Sequence, residues 1–285
     1  MHQVKSTERE LRVQKEYMKP HISISIVSHA QGDMVARLLK DLDLFCVHEE
    51  IEVLLVSNIA EEFPFREFDF SFPLKIIKNE MPKGFGENHN TSFSYAKGRY
   101  FCVMNPDIRM DASPFKPLIA LFDDVSVGLA APVVVSPQGN VEDSARTFPT
   151  PLTIICKAFG GCRGSSDLVG QLPVYPDWVG GMFMVFPSAV FQAIGGFNQA
   201  YFLYYEDVDI CARLNLAGSR VALSPSAVVV HHAQRTSRRE LRYTLWHLRS
   251  MLRFFCSGVC WRVHWKVVTL GNSKPPPVNS LKNKQ

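Results

Sequence analysis

"HISISIVSHAQGDMVARLLKDLDLFCVHEEIEVLLVSN", residues 21–58, decides the fold class. Residues 21–29 are rich in Ile and Val, which suits a pleated, buried strand. Val35, Leu38, Leu39 and Leu42 then recur at helical spacing, so Asp33–Phe45 reads as a helix. "IEVLLVSN" (51–58) is a nearly continuous apolar run, the pattern of a strand covered on both faces. Strand, helix and second buried strand in succession form a βαβ unit, and such units build parallel sheets.

The pattern continues outward. "LKIIKN" (74–79), "RYFCVMNPD" (99–107) and "VGLAAPVVV" (127–135) read as strands, and "ENHNTSFSYAKG" (87–98) as a helix stopping at Gly98. The expectation is an α/β fold with a mostly parallel sheet and flanking helices. Ligands of such sheets lie beyond the carboxyl ends of the strands. That edge carries Ser28, His29, Ser57, Asn58, Asn105 and Asp107. From about 136 to 177 the chain is rich in Gly, Pro and Ser without periodicity, and a loop that long is usually functional. "WVGGMFMVF" (178–186) then reads as one strand and "SAVFQAIGG" (188–196) as a short helix. A helix over 206–217 and a strand "RVALSPSAVVVHH" (220–232) follow.

Composition sets the bounds. The 285 residues suffice for one large domain with an extension, or two small ones, and 46% hydrophobic with 20% charged content is ordinary for a globular core. No stretch approaches 18 uninterrupted apolar residues, which argues against a membrane-spanning helix. The charged first twenty residues have no apolar segment of the kind a secretory signal needs. Seven scattered cysteines without a C-x-x-C pair suit a reduced cytoplasmic protein rather than a zinc site. Residues 235–266 hold eight Lys/Arg against one acid, so of the net charge of +4 this segment supplies +7 and the rest −3.

Four constellations could carry chemistry. "MNPD" (104–107) fixes a carboxylate at the ligand edge, where it suits a divalent cation carrying phosphates, although Asn-Pro-Asp is also a turn. "KGFGENHN" (83–90) puts glycines before a helix start, which favours anions or simply makes a turn. It is neither a Walker A loop nor G-x-G-x-x-G. "VVVHH" ends a strand with His231 and His232 on opposite faces. In "YFLYYEDVDICARL" (201–214), Glu206, Asp207 and Asp209 follow an aromatic run. Helix N-termini favour acids, and an apolar approach raises the basicity of a carboxylate, which suits a general base.

The order of these pieces resembles the inverting GT-A glycosyltransferases of family 2, and within them the bacterial rhamnosyltransferases of O-antigen and cell-wall synthesis. The resemblance spans residues 21–255. It rests on "KGFGENHN", "MNPDI", "ARTFPTP", "DWVGGMFMV", "GGFNQAYFLYYEDVDICARLNLAG" and "WHLRSMLRF". It implies a charged lead-in (1–20) and a GT-A domain (21–235) with a nucleotide-sugar half (about 21–135) and an acceptor half (about 136–235). A basic amphipathic helical segment (236–268) and a disordered tail (269–285) complete the chain.

The resemblance also implies roles. Asp107 corresponds to the last acid of a metal-binding D-x-D motif whose first acid is here Asn105, with Mg²⁺ or Mn²⁺ as cofactor and His231 as a further ligand to metal or diphosphate. Asp207 corresponds to the general base, with Glu206 as runner-up. Ser28, His29, Ser57, Asn58, Gly84, Phe85, Gly86, Asn90, Asn105 and Asp107 fall on the nucleotide-sugar side. Arg146, Trp178, Gly180, Gly181 and Asp209 fall on the acceptor side. The donor implied is dTDP-L-rhamnose, and the acceptor a polyprenyl-diphosphate-linked saccharide. With the basic segment, that acceptor places the enzyme in the cytoplasm, peripheral on the inner face of a bacterial cell membrane with an anionic surface as partner.

Four alternatives are weighed against this. A family 2 transferase with another nucleotide-sugar, or a nucleotide- or carbohydrate-binding module without turnover, would share most motifs, but a mere binder has no need of a poised base. A nucleic-acid binder would use the basic segment, yet no aromatic platform accompanies it. A nucleotidyltransferase would bring a Gly-rich loop with a basic residue near the N-terminus, and none is present.

Overall fold

The computed structural model describes residues 21–150, 173–232 and 241–270, with side chains to Lys266. The expected lead-in, the middle of the long loop and nearly all of the tail lie outside the described residues. The alternation in "ISISIVS" sorts strand β1 (Ile22–Ser28) into two faces. Ile22, Ile24 and Ile26 meet Val35, Leu38, Leu39 and Leu42 of helix α1 (Gly32–Phe45) in one apolar layer. The opposite serine face is buried as well, under helix α2 (Phe85–Phe93) and the turn after it. Its polar atoms are satisfied there: Ser25 Oγ shares a 2.7 Å hydrogen bond with His89 Nδ1, and Ser23 Oγ accepts from Gly98 N at 2.8 Å.

An eight-stranded sheet runs in the order β3-β2-β1-β4-β9-β6-β10-β5. Strands β2 (Ile51–Ser57), β3 (Leu74–Lys78) and β4 (Tyr100–Met104) join β1 in parallel, β4 on its other side. The chain therefore leaves β1 in one direction and returns in the other, which makes β1/β4 a topological switch point. The parallel pair β6 (Val127–Val135) and β10 (Arg220–His231) completes the sheet with β5 (Ile108–Arg109), antiparallel to β10. Along β4, Cys102 and Met104 face the α1 layer, while Phe101 and Val103 face a second layer. That second layer includes residues of α5 (Glu206–Leu216), α6 (Leu241–Phe255) and α7 (Gly258–Leu270).

Three local readings change. "WVGGMFMVF" is two strands, β8 (Trp178–Val179) and β9 (Phe183–Pro187), broken at Gly180–Gly181. Strand β9 lies antiparallel between β4 and β6, so the mostly parallel sheet is mixed at its centre. Helix α2 begins at Phe85, inside the glycine loop, and ends at Phe93. Gly98 is instead a packing glycine, because a Cβ there would lie 2.6 Å from Ser23 N. The short strand β7 (Ala145–Arg146) pairs with β8, while α3 (Phe115–Ile119), a 3-10 turn (Ala120–Asp123) and α4 (Ser188–Ala193) complete the described elements.

Candidate active site

Residue Asp107 follows the carboxyl end of β4. The register His231↔Ile108 between β10 and β5 carries His231 alongside it. His231 Nε2 is 3.3 Å from Asp107 Oδ2, and Nδ1 is 2.8 Å from Glu142 Oε2. Burial alone would lower the imidazole pKa, but hydrogen bonds and charge from Asp107 and Glu142 outweigh it and raise it to about 9. His231 is therefore an imidazolium bridging two carboxylates. Both ring nitrogens are thereby engaged by carboxylates. Glu142 was not anticipated. It sits where the chain turns back on β6, its N–H donating to Val134 O at 2.8 Å, and nothing in its loop's sequence marks it.

Among the described residues, no group of three His, Cys, Asp or Glu side chains is placed to hold a metal ion by itself. Asp107 Oδ1, however, is buried without a hydrogen-bond partner. One such carboxylate oxygen fits Mg²⁺ or Mn²⁺, which commonly bind through one or two carboxylates, waters and substrate phosphates.

At the neighbouring strand ends, Ser28 Oγ accepts from Gln31 N (3.2 Å) and Ser57 Oγ donates to Ile59 O (2.8 Å), both shaping turns, while His29 is exposed. A cleft of about 440 Å³ opens beside them, lined in part by Ala30, Gln31, Gly32, Arg37 and Glu61. Neither Asp107 nor Asp207 lines it. The amide of Asn58 holds the glycine loop: Oδ1 accepts from Lys83 N (2.8 Å) and Nδ2 donates to Lys83 O (3.0 Å). Asn79 and Asn88, absent from the sequence reading, extend this web to Gly84 O. Asn90 is likewise engaged, its amide clasping the N–H and C=O of Phe197 at 2.9 and 2.8 Å. Asn58 and Asn90 thus position the loop rather than offer free groups to a ligand.

The loop is seated on the segment that leads to the acids. Phe85 N donates to Phe202 O at 2.8 Å, and a Cβ on Gly84 would lie 2.7 Å from that same oxygen. Tyr204 and Tyr205 both adopt left-handed backbone (φ 69° and 67°), a strained conformation for aromatic residues. Their turn starts α5 without a side-chain cap and sets Glu206 and Asp207 at its head.

The three acids then part company. Asp209 is 1% exposed and pairs with Arg213 Nε at 2.7 Å, and Arg213 also donates to the carbonyls of Ile194 (2.7 Å) and Gly196 (2.8 Å). Through Arg213 it braces the Gly195–Gly196 turn from inside. Glu206 is buried with Oε2 unpartnered, and burial, then the charge of Asp207, holds its proton far above the usual carboxylate range. Asp207 is partly exposed as a residue, but its carboxylate is tucked against backbone: Oδ2 accepts from Gly181 N (3.1 Å) and Oδ1 from Val208 N (2.8 Å). Burial raises its pKa too, while these N–H groups and Arg146 pull the other way. Glu206, buried with an unpartnered oxygen, is the carboxyl more strongly disfavoured as an anion, whereas Asp207 has two backbone N–H groups to hold its charge.

Gly181 links the two ends of the site. Its neighbour Met182 accepts from Asn105 N at 2.9 Å, so one dipeptide at the head of β9 touches both the Asp107 loop and Asp207. A Cβ on Gly181 would meet the Phe85 ring at 3.3 Å. On the remaining wall the register Arg146↔Trp178 sets the guanidinium 5.3 Å from the indole centroid. Arg146 Nε also lies 2.9 Å from Asp143 Oδ2, close but misaligned for a hydrogen bond. Gly180 N donates to Ser144 O at 2.8 Å, and Trp178 Nε1 to Thr147 O at 2.9 Å.

A switch-point sheet with an edge carboxylate, a glycine loop and a tucked acid at the head of a helix has the arrangement of the GT-A fold. Residues 23–158 match the family described as Glycosyl transferase family 2, and the chain carries that domain. It is 28% identical over 253 residues to Rhamnosyltransferase WbbL of Escherichia coli (strain K12), covering 82% of this chain and 92% of that protein. It is 29% identical over 244 residues to N-acetylglucosaminyl-diphospho-decaprenol L-rhamnosyltransferase of Mycobacterium tuberculosis (strain CDC 1551 / Oshkosh), covering 77% and 78%. Among solved structures, GalNAc-T7 with UDP, GalNAc and Mn²⁺ matches with a TM-score of 0.60 at 15% identity. The match covers 76% of this chain but only 44% of that one, so it speaks to the fold alone. Among the described residues no helix is long and apolar enough to cross a membrane.

Proposed function

We propose that this chain transfers L-rhamnose from dTDP-L-rhamnose, with inversion, to a polyprenyl-diphosphate-linked saccharide in O-antigen or related polysaccharide synthesis, at the cytoplasmic face of a bacterial membrane. Residues 21–135 take the nucleotide-sugar and 136–235 the acceptor. The observation that carries the reading is the tucked carboxylate of Asp207 on Gly181, one residue from the backbone that anchors the Asp107 loop. The two relatives named above support rhamnose, and the mycobacterial one, by its name, supports a lipid diphosphate on the acceptor.

Asp207 takes the proton of an acceptor hydroxyl as its oxygen bonds to the anomeric carbon from the face opposite the nucleotide. The bond from that carbon to the diphosphate oxygen breaks with its electron pair, and no enzyme nucleophile is needed. Glu206, kept protonated by burial, adds no second negative charge beside the base. Asp107 would hold a divalent ion, which when bound offsets charge on the departing diphosphate. His231 and Arg146 supply fixed cations at the donor and acceptor ends.

The test is a thermal-shift screen of dTDP-, UDP- and GDP-sugars with and without Mn²⁺, followed by nucleotide release with a lipid-diphosphate sugar acceptor. dTDP-L-rhamnose should give the largest stabilisation, deepened by the cation, and release should require acceptor. A larger shift with a UDP- or GDP-sugar would reassign the donor, and no shift with any would end the transferase reading.

A further inference from the structure

Helix α6 presents two unlike faces. Tyr205 packs between His247 (5.5 Å) and Phe254 (5.7 Å), Phe202 against Trp246 (4.9 Å), and Ser250 Oγ donates to Leu203 O at 2.8 Å. These contacts fix one side of the helix on the segment leading to Glu206 and Asp207. Leu241, Leu245, Leu248 and Leu252 recur every three or four residues, so they fall within roughly 60° of the circumference, opposite Ser250 and Phe254. All four point outward, Leu245 at 65% and Leu252 at 62% exposed. On α7, Trp261 and Trp265, one turn apart, are 71% and 73% exposed. Monomers rarely leave such a patch uncovered.

Charge selects what covers it. Arg242, Arg249 and Arg253 lie along one flank of the leucine stripe, and Arg262 is exposed beside the tryptophans. Neither helix contains an acid. The leucine spacing would also suit a coiled-coil seam with a second copy. Two-fold pairing, however, would bring arginine flanks together with no carboxylate to meet them. An anionic bilayer meets both features, apolar side chains entering the acyl boundary while guanidinium groups reach phosphates and indoles sit at the interface.

We infer that the leucine stripe of α6, with Trp261 and Trp265, is a docking face for an anionic lipid surface. The geometry has a consequence for the reaction proposed above, on which only this consequence rests. One helix, about 10 Å thick, would separate the bilayer from the residues that carry the acid pair. A lipid-anchored diphosphate at the surface would then reach the site without leaving its membrane.

The test uses the full chain and vesicles of phosphatidylcholine with or without phosphatidylglycerol, read by co-sedimentation without any substrate. The wild type should bind the anionic vesicles and not the neutral ones. Leu245→Ser with Leu252→Ser should lower binding by about tenfold or more. Arg249→Gln with Arg253→Gln should lower it by about 30-fold. Both doubles replace exposed residues, so melting temperature and donor-induced thermal shift should stay at wild-type values. That readout separates failure of the docking face from failure of the transferase reading. Three results would overturn the inference: no wild-type binding to anionic vesicles, unchanged binding by the leucine double, or a wild-type dimer that the leucine double converts to monomer.

Discussion

Asp207→Asn separates the roles of the acids most sharply. Asparagine keeps the shape and one acceptor oxygen, so one of the two backbone N–H groups now on the carboxylate (Gly181 at 3.1 Å, Val208 at 2.8 Å) keeps its partner. The other faces an amide N–H and loses its bond, at about 1–3 kcal/mol. That local cost is small beside the chemical one. A positioned general base contributes about 10²–10⁴ in rate, or about 3–5 kcal/mol of barrier. Turnover, followed as nucleotide release with saturating acceptor, should therefore fall by at least about a hundredfold. Donor affinity, measured by calorimetry, should stay within a few-fold, because in the proposed reaction Asp207 meets the acceptor hydroxyl and not the nucleotide. Glu206→Gln in parallel should retain most turnover. Near-normal turnover in Asp207→Asn would refute the assignment, and so would a Glu206→Gln variant with the larger loss.

Three further outcomes follow from the same geometry. Glu206 is a carboxyl whose folded pKa is raised, by burial first and then by Asp207, so its contribution to stability is complete below its unfolded pKa of about 4.3 and is lost as pH climbs toward the folded value. The loss is up to about 1.4 kcal/mol per pH unit. Glu206→Gln should therefore gain melting temperature over the wild type between pH 5 and pH 8, and parallel pH profiles would count against a buried proton there. Arg213→Leu strands the buried Asp209 carboxylate, so unfolding free energy should drop by about 3–5 kcal/mol in denaturant titration. A change below 1 kcal/mol would mean that the pair is not a brace. Gly84→Ala keeps an ordinary backbone angle (φ −68°) yet drives a Cβ to 2.7 Å from Phe202 O, so KM for the donor and kcat should both worsen. Unchanged kinetics would show that the loop and the acid segment are not coupled.

The fold was legible wherever a single element buries its own pattern. Strands β2 and β6 declare themselves because they are nearly apolar along their length, β1 because its isoleucines alternate, and α5 starts at Glu206 as its acids suggest. What escaped the sequence depends on neighbours distant in the chain. The insertion of β9 between β4 and β6 follows from pairing partners, not from "FMVFP" itself. Glu142 reaches His231 across 89 residues because β6 and β10 run side by side. Asn79 and Asn88 are ordinary polar residues until the fold brings Asn58 and the glycine loop beside them. For the site, residue type pointed to Asp107, Asp207 and Glu206, while the division of labour between Asp207 and Asp209 needed the Gly181 N–H and the Arg213 guanidinium.

The aromatic run before the acids also has a wider role than desolvation. Two consecutive tyrosines at positive φ cost of the order of 1–2 kcal/mol each, and such strain persists only where surrounding contacts enforce it. The enforcing contacts come from both sides. Phe85 N of the glycine loop holds Phe202 O, and Ser250 of α6 holds Leu203 O, one residue further on. His247 then packs on both tyrosine rings, at 5.3 and 5.5 Å. The turn that aims Glu206 and Asp207 is thus clamped between the glycine loop and the helix with the leucine stripe. A shift of α6 reaches the acids through Phe202–Tyr205, and a shift of residues 84–85 reaches them both there and across Gly181, so the glycine loop and the outer helix are mechanically joined at Asp207.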